Sequence, residues 1–140
     1  MGSWLRAAGH VPDQVLCSTA RRARETWQLA QPGLGAAPPV GFEDRVYGAS
    51  AAQLLDLVHQ APPAAKTLLI VGHDPGVPGL ALMLAAAAGD AADRMRAKFP
   101  TAAIAVLELT GSWDQLAPGG ARLAGFVTPR DVSGGGAGDS

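Results

Sequence analysis

A continuous apolar stretch at residues 67–71 (TLLIV) constrains the fold of this chain more than any other feature of its sequence. A strand whose successive residues are all apolar is expected to be covered on both faces, as in a parallel sheet. Short apolar runs of this kind alternate along the chain with segments of helical periodicity, which is typical of α/β proteins. We therefore expect a three-layer α/β/α domain with a mainly parallel central sheet.

The remaining elements follow from local patterns. The helix expected at 50–60 has apolar residues at helical spacing, and Ser50 with Gln53 forms a candidate capping box at its start. The other predicted elements are a strand at 15–18, a helix at 19–30 with Ser18 or Thr19 as its N-cap, a loop at 31–42, a helix at 78–88, a polar link at 89–98, and strands at 102–109 and 122–127. One domain is expected over 1–131, followed by a flexible Gly-rich tail over 132–140.

The composition excludes several classes of protein. The net charge is −1 and the pI is about 6.3, so neither a nucleic acid nor an anionic membrane surface is an expected partner. Cys17 is the only cysteine, which excludes an internal disulfide framework and a multi-cysteine metal site. No apolar run approaches the roughly 20 residues of a membrane-spanning helix, and no signal peptide is readable. A single cysteine is compatible with a reducing compartment, and we expect a cytoplasmic protein.

Three arginines, Arg21, Arg22 and Arg24, follow the first predicted strand within the first turn or so of a helix. This placement opposes the helix dipole, which favours anions at the N-terminus of a helix. A bound phosphate would supply the missing negative charge, and the planar guanidinium group suits a phosphate held by two hydrogen bonds. The alternative interpretation is a solvated helix face on which Glu25 partly balances the arginines.

A histidine, His73, follows the apolar run at 67–71 almost directly, in the segment VGHDPG at 71–76. Ligands of open α/β sheets bind beyond the carboxyl ends of the strands, so we expect His73 to lie in the region where a ligand would bind. Near neutral pH an imidazole can act as an acid, a base or a hydrogen-bond donor to phosphate. The alternative is a structural histidine held by hydrogen bonds at the end of its strand.

Taken together, the two segments resemble the histidine phosphatase superfamily, and within it the small SixA-type phosphohistidine phosphatases. The resemblance covers residues 1–131 and rests on the pattern S-x-x-x-R-A-x-x-T at 18–26 and the pattern V-G-H-x-P at 71–75. Matching stretches are VPDQVLCSTARRARET, RVYGASAAQLLDLV, TLLIVGHDPGVPGLALML, FPTAAIAVLEL and RLAGFVTPRD. The resemblance implies a phosphoglycerate mutase-like fold and a hydrolase that works without a metal or other cofactor, through a phosphohistidine enzyme intermediate.

The resemblance also implies roles for five residues. Arg22 would be a catalytic clamp on the phosphate, and His73 would be the second histidine, which holds and polarises the phosphoryl oxygens. Ser18 is a further candidate phosphate ligand. Asp44, with Glu43 beside it, is the candidate acid that protonates the leaving group, because larger members of the superfamily carry an acidic residue before a Tyr-Gly pair. The implied partners are phosphate and a protein that carries a phosphohistidine, such as a histidine phosphotransfer domain.

The sequence departs from the family at one decisive point, because its 140 residues contain no Arg-His-Gly signature. In the family that signature supplies the nucleophilic histidine on a first strand, and neither His10 nor His59 has such a setting. We expect that this first strand is missing and that the chain begins about 30 to 40 residues late, from the usual length of a strand-helix unit. The full-length parent would then be a protein phosphohistidine phosphatase, whereas the present chain is predicted to be inactive.

Two alternative functions remain open. One is a non-catalytic regulator that binds phosphate or a phosphoprotein, and the other is a small-molecule phosphomonoesterase or mutase of the same superfamily. The short spacing between Asp44 and His73 leaves little room for the inserted lids of small-molecule mutases, which favours a protein-borne substrate. An absent central strand would also leave apolar faces and strand edges open. We therefore expect the isolated chain to be marginally stable or prone to aggregate.

Overall fold

The computed structural model describes residues 1–85 and 89–135 as an α/β fold. The strands are β1 (Gln14–Ser18), β2 (Val40–Glu43), β3 (Leu68–Val71), β4 (Ile104–Leu109) and β5 (Ala121–Val127). The first three strands form a parallel sheet in the spatial order β2-β1-β3, and β4 pairs with β5 in the antiparallel sense. The helices are α1 (Gly2–Ala7), α2 (Arg21–Leu34), α3 (Ala51–His59), α4 (Gly76–Ala85), α5 (Asp90–Ala97) and α6 (Pro129–Gly135).

Helices cover both faces of the parallel sheet. Alternate residues of each strand point to opposite sides, so apolar side chains on both sides need a covering layer. Val15 and Cys17 of β1 are fully buried and cluster with Trp27 of α2 and with the apolar side of α1. On the opposite face, Leu16 packs against a cluster that includes Leu54 of α3 and residues of α4. The predicted three-layer arrangement with a parallel central sheet is therefore confirmed.

Helix α3 has the predicted position, and its start is set by its own side chains. The Ser50 hydroxyl accepts a hydrogen bond from the Gln53 N–H at 3.2 Å, and the Gln53 side-chain oxygen accepts one from the Ser50 N–H at 2.8 Å. This capping box satisfies two N–H groups that the helix itself leaves without partners. Leu54 and Val58 face the core with 1% and 3% of their surface exposed.

One edge of the parallel sheet is open in the part of the chain that the structure describes. There β3 pairs only with β1, and β4 pairs only with β5. A cleft of about 440 Å³ separates β3 from the start of β4, and residues 69–73 and 99–104 form much of its lining. The four residues of β3 are consequently only half-buried, although an unbroken apolar sequence is typical of a strand with closely packed surroundings.

This open edge predicts self-association. Unpaired backbone groups and apolar side chains at a strand edge favour pairing with another chain, so we expect the weight-average mass to rise with concentration in sedimentation experiments. Leu29 lines the cleft with 84% of its surface exposed, and Leu29→Lys should reduce the association without unfolding the protein. Gln28→Lys is the matched control, because Gln28 is exposed on the same helix but does not line the cleft. A monomer at every concentration would contradict this prediction.

The start of α2 differs from the prediction that Ser18 or Thr19 is its N-cap. The helix begins at Arg21, and Ala20 is the N-cap. The Ser18 hydroxyl accepts a hydrogen bond from the Ala20 N–H at 3.1 Å, and the Thr19 hydroxyl donates one to Asp44 at 2.6 Å. Both side chains are therefore engaged outside the helix, which is why neither caps it.

The end of α2 also differs, since the helix continues to Leu34 and not only to residue 30. Pro32 lies inside this extension, although proline cannot donate the usual helical hydrogen bond. Close packing on α1 compensates, because a Cβ on Gly33 would lie only 2.6 Å from the Ser3 backbone nitrogen. Leu34 is buried by the same packing, and Gly35 then ends the helix with a positive φ of 70°.

Two elements lie where none was predicted. The strand β2 occupies the end of the predicted loop at 31–42, and its pairing with β1 runs in register from Val15 opposite Val40. Helix α5 occupies the predicted polar link at 89–98, where Ala92 and Met95 are buried against neighbouring elements. Strand β2 gains its structure from its pairing with β1, a tertiary contact that local composition does not show.

The last two differences concern α4 and the C-terminal segment. Helix α4 begins at Gly76, two residues earlier than predicted, and residues 86–88 of the predicted helix lie outside the described residues. Helix α6 extends into the first residues of the tail expected over 132–140, and residues 136–140 also lie outside the described part. None of the helices described is long and apolar enough to cross a membrane.

Candidate phosphate-binding site

The sheet brings the two predicted site segments to the same edge. Strands β1 and β3 are parallel neighbours, with Cys17 opposite Val71, so the residues that follow them lie side by side. His73, two residues beyond β3, is half-buried, and its Nε2 lies 2.8 Å from the Ser18 hydroxyl oxygen at the end of β1. The segments that carry the two sequence patterns are therefore in direct contact.

Arg22 lines the same cleft as His73, from the first turn of α2. Its side chain is exposed, and its guanidinium has no carboxylate within ion-pair distance in the described residues. Arg21 differs, because it pairs with Glu25 at 3.5 Å and its side chain is 86% exposed. The solvated-face interpretation therefore describes Arg21, whereas Arg22 offers a cation that lines the same cleft as His73, in the first turn of a helix.

Close packing of two valine side chains against Gly72 fixes the loop that carries His73. A Cβ on Gly72 would lie 2.8 Å from Val77 Cγ2 and 3.1 Å from Val46 Cγ1, so this position has room only for glycine. Beyond it, the His73 carbonyl accepts a hydrogen bond from the Val77 N–H at 2.9 Å, which joins the loop to α4. The imidazole is thus held on a short and constrained segment.

The two acid candidates lie beside the site, and neither is among the residues that line the cleft. Asp44 accepts the hydrogen bond from the Thr19 hydroxyl at 2.6 Å. Glu43 forms two hydrogen bonds with the Arg45 guanidinium, at 2.9 and 3.0 Å. These side-chain hydrogen bonds, with help from the Arg45 backbone N–H, lower the pKa of Glu43 to about 2. A carboxyl with so low a pKa is deprotonated near neutral pH and is poorly suited to donate a proton.

The Glu43–Arg45 pair gives a prediction that a titration can check. Because the pKa is lowered in the folded state, the ionised pair contributes stability above the ordinary glutamate pKa, and this contribution is lost as the pH falls toward about 2. We expect the Glu43 carboxyl carbon to titrate near that value in an NMR experiment, and to return toward the ordinary range in Arg45→Gln. Titration of Glu43 near neutral pH would contradict the ion pair and would favour Glu43 as the acid.

One neighbour of His73, Tyr47, was not predicted from the sequence. The Tyr47 ring packs edge-on against the His73 ring at 5.5 Å between centroids, while 68% of Tyr47 stays exposed. Tyr47 and His73 are 26 positions apart in the sequence, so no local pattern indicates this contact. An exposed aromatic ring at the rim of the site offers a surface that a bound protein or peptide could cover.

The remaining candidate groups have structural surroundings. The ring centroids of His10 and Trp4 are 6.2 Å apart, and His59 Nε2 lies 2.7 Å from the Leu116 carbonyl oxygen. Burial raises the pKa of the Cys17 thiol to about 11, against a smaller lowering effect of the Arg24 charge, which makes it a poor nucleophile. In the described ranges, no group of three or more His, Cys, Asp or Glu side chains could hold a metal ion.

No family model matches the chain, but comparison with known proteins finds relatives over most of its length. An uncharacterized protein found in two strains of Mycobacterium tuberculosis is 45% identical over 132 residues, which are 92% of this chain and 81% of that protein. A protein of Mycobacterium leprae is 40% identical over 131 residues, which are 92% of this chain and 79% of that protein.

Solved structures identify the family. A protein from Nakamurella multipartitia that carries the name phosphohistidine phosphatase SixA has a TM-score of 0.78 and 34% identity, with coverage of 91% of this chain and 77% of that one. The chain belongs to the SixA-type histidine phosphatase family. A second SixA-named protein, from Agrobacterium tumefaciens, has a TM-score of 0.72 and 25% identity, with coverage of 91% and 75%.

A third SixA structure shows the same fold at lower identity. This protein histidine phosphatase SixA is complexed with tungstate and has a TM-score of 0.68 and 20% identity, with coverage of 94% of this chain and 78% of that one. The patterns at 18–26 and 71–75 predicted a SixA-type histidine phosphatase, and the family and its fold are confirmed.

Proposed function

We propose that Arg22 and His73 form the phosphoryl-binding site of a phosphohistidine phosphatase-like protein. One observation carries the proposal: Arg22, which has no ion-pair partner in the described residues, and His73, held by Ser18, follow adjacent strands and line the same cleft. A phosphoryl group between them would receive charge-assisted hydrogen bonds from the guanidinium and one from the imidazole. The positive end of α2 adds to the attraction for an anion.

The proposed substrate is a phosphohistidine carried by another protein. SixA is the name of the structural relatives described above, and one of them is named as a protein histidine phosphatase. The exposed Tyr47 ring beside His73 supports a macromolecular ligand, because it gives a phosphoprotein a contact surface next to the phosphoryl group. A small phosphoester would leave that ring in water.

The proposal for the 140-residue chain itself is binding without turnover. Phosphoryl transfer in this family needs a nucleophilic histidine, and the 140 residues contain no Arg-His-Gly signature. Of the three histidines only His73 lines the cleft, and we assign it to holding the phosphoryl oxygens. In a protein that also carries the signature, the nucleophilic nitrogen would attack phosphorus, the P–N bond to the substrate histidine would break, and water would then release phosphate.

Two measurements on the 140-residue protein test this proposal. Calorimetric titration should show binding of inorganic phosphate, which weakens about tenfold or more in His73→Ala because a hydrogen bond to a charged group is lost. His10→Ala is the matched control, since His10 contacts Trp4 and does not line the cleft. A phosphohistidine-carrying phosphotransfer domain and small phosphoesters should both keep their phosphate.

Each contrary result has a distinct meaning. Failure of wild-type protein to bind phosphate would refute the site. Release of phosphate from the phosphotransfer domain would refute binding without turnover. Release from small phosphoesters alone would support the small-molecule phosphomonoesterase or mutase in place of a protein substrate.

A further inference from the structure

Ser18 is the only buried polar residue in the part of the chain that the structure describes, and its exposed fraction is 0%. Its hydroxyl oxygen lies 3.1 Å from the Ala20 nitrogen and 2.8 Å from His73 Nε2. The first contact anchors the residue that precedes α2, the helix of Arg22, and the second anchors the loop of His73. One buried hydroxyl therefore joins the two elements that form the proposed site.

The position of the hydroxyl hydrogen follows from counting donors and acceptors. A serine hydroxyl can donate one hydrogen bond and accept two. The Ala20 N–H donates to the oxygen, and His73 Nε2 is the only side-chain acceptor that the structure places within reach of the hydroxyl hydrogen in the described residues. If Nε2 itself carried a proton, the buried hydroxyl hydrogen would have no partner among the described residues, which is unfavourable for a buried donor.

We infer that Ser18 donates its hydrogen bond to His73 Nε2 and thereby holds the neutral imidazole in the tautomer with its proton on Nδ1. The nitrogen that is not engaged by the protein then determines what the imidazole offers to a ligand. Nδ1 has no hydrogen-bond partner in the described residues, so its N–H is available to donate.

This inference deepens the proposed function and depends on it for its consequence. The Nδ1–H would donate to a phosphoryl oxygen, while Ser18 acts through His73 and does not reach the ligand. Ser18 is then a positioning residue, which differs from the phosphate ligand that the family resemblance implies. Its complete burial supports the positioning role, because a side chain with no exposed surface has no face to present to phosphate.

Nitrogen NMR of the unmodified 140-residue sequence tests the tautomer directly. The protein is labelled with ¹⁵N-histidine and observed at about pH 8, where an ordinary imidazole is neutral. The His73 signals are assigned by their loss in His73→Ala. We expect a protonated Nδ1 and an unprotonated, hydrogen-bonded Nε2. A predominant Nε2–H tautomer in the wild-type protein would overturn the inference without the use of any Ser18 variant.

Variants test whether Ser18 is the cause. Ser18→Ala should allow both tautomers and weaken binding of inorganic phosphate about five- to tenfold, while Ser18→Thr, which keeps a hydroxyl, should restore both properties. Thr19→Ala removes the neighbouring hydroxyl that binds Asp44 and should leave the His73 signals unchanged. An unchanged tautomer in folded Ser18→Ala would refute the positioning role. If the His73 tautomer depends on Ser18 but the protein binds no phosphate, the positioning role of Ser18 is supported and the proposed function is refuted.

Discussion

Arg22→Ala is expected to weaken the binding of inorganic phosphate by about 10- to 100-fold, since a charge-assisted hydrogen bond contributes about 1.5–3 kcal/mol. Arg22 lines the same cleft as His73 and has no ion-pair partner in the described residues, so no internal carboxylate competes with the ligand. Because its side chain is exposed, the free energy of unfolding should change by no more than about 0.5 kcal/mol. Titration calorimetry and chemical denaturation measure the two quantities.

Arg21→Ala is the matched control for Arg22→Ala. It removes the same charge from the same turn of α2, but its guanidinium pairs with Glu25 and does not line the cleft. We expect phosphate affinity to fall less than about threefold in this variant, because an exposed charge acts on the ligand only through screened attraction. Equal losses in the two variants would show that phosphate is attracted by general positive charge and not by a site at Arg22.

Gly76→Ala should destabilise the fold by about 3 kcal/mol, since it places a methyl group against immobile backbone. A Cβ at this position would lie 2.3 Å from the Ala49 carbonyl oxygen, well inside contact distance. Relief requires α4 to move away from the segment after Tyr47, and the loop of His73 leads directly into α4. The variant should therefore also weaken phosphate binding. Urea denaturation with a fixed slope measures the change in stability.

Gly79→Ala supplies the control within the same helix. Its Cβ would lie 3.6 Å from the Ala51 Cβ, an ordinary contact, and alanine is the better helix former by up to about 1 kcal/mol. We expect Gly79→Ala to be neutral or stabilising. A Gly76→Ala protein as stable as wild type would show that the two segments are not in contact as described, whereas two equally damaging variants would indicate that α4 tolerates no added methyl group.

Much of the fold is readable from the sequence where the local pattern and the tertiary environment agree. The apolar run at 67–71 predicts β3, and the capping residues Ser50 and Gln53 predict the start of α3. Two of the segments that were missed depend on long-range contacts. Helix α2 passes through Pro32 because Gly33 packs against α1, and β2 is a strand because β1 supplies its hydrogen-bonding partner.

Helix α5 is a different kind of miss, because its signal was present in the sequence. Its first turn is acidic, with Asp90 and Asp93, and its last turn is basic, with Arg94 and Arg96. This order of charges matches the helix dipole. The expectation of a polar link rested on composition, because the segment is short and only Ala92 and Met95 are buried in it. The order of its charges is the better indicator of a helix.

The candidate site was predictable in its types of residue but not in its hydrogen bonds. An arginine at a helix start and a histidine after a strand indicate an anion site, and the parallel sheet places them together. No local pattern shows that Ser18 lies under His73, because the two are separated by 55 positions. That contact exists only once β1 and β3 are adjacent in the sheet.

A crystal structure of the 140-residue protein soaked in tungstate would test the central claim most directly. Tungstate is the anion bound in one of the SixA structures that share this fold, and its anomalous scattering locates it without ambiguity. We predict a tungstate within hydrogen-bond distance of the Arg22 guanidinium and His73 Nδ1. A structure in which both side chains are ordered and no tungstate lies between them, or in which it binds only elsewhere, would contradict the claim that these residues form a phosphoryl-binding site.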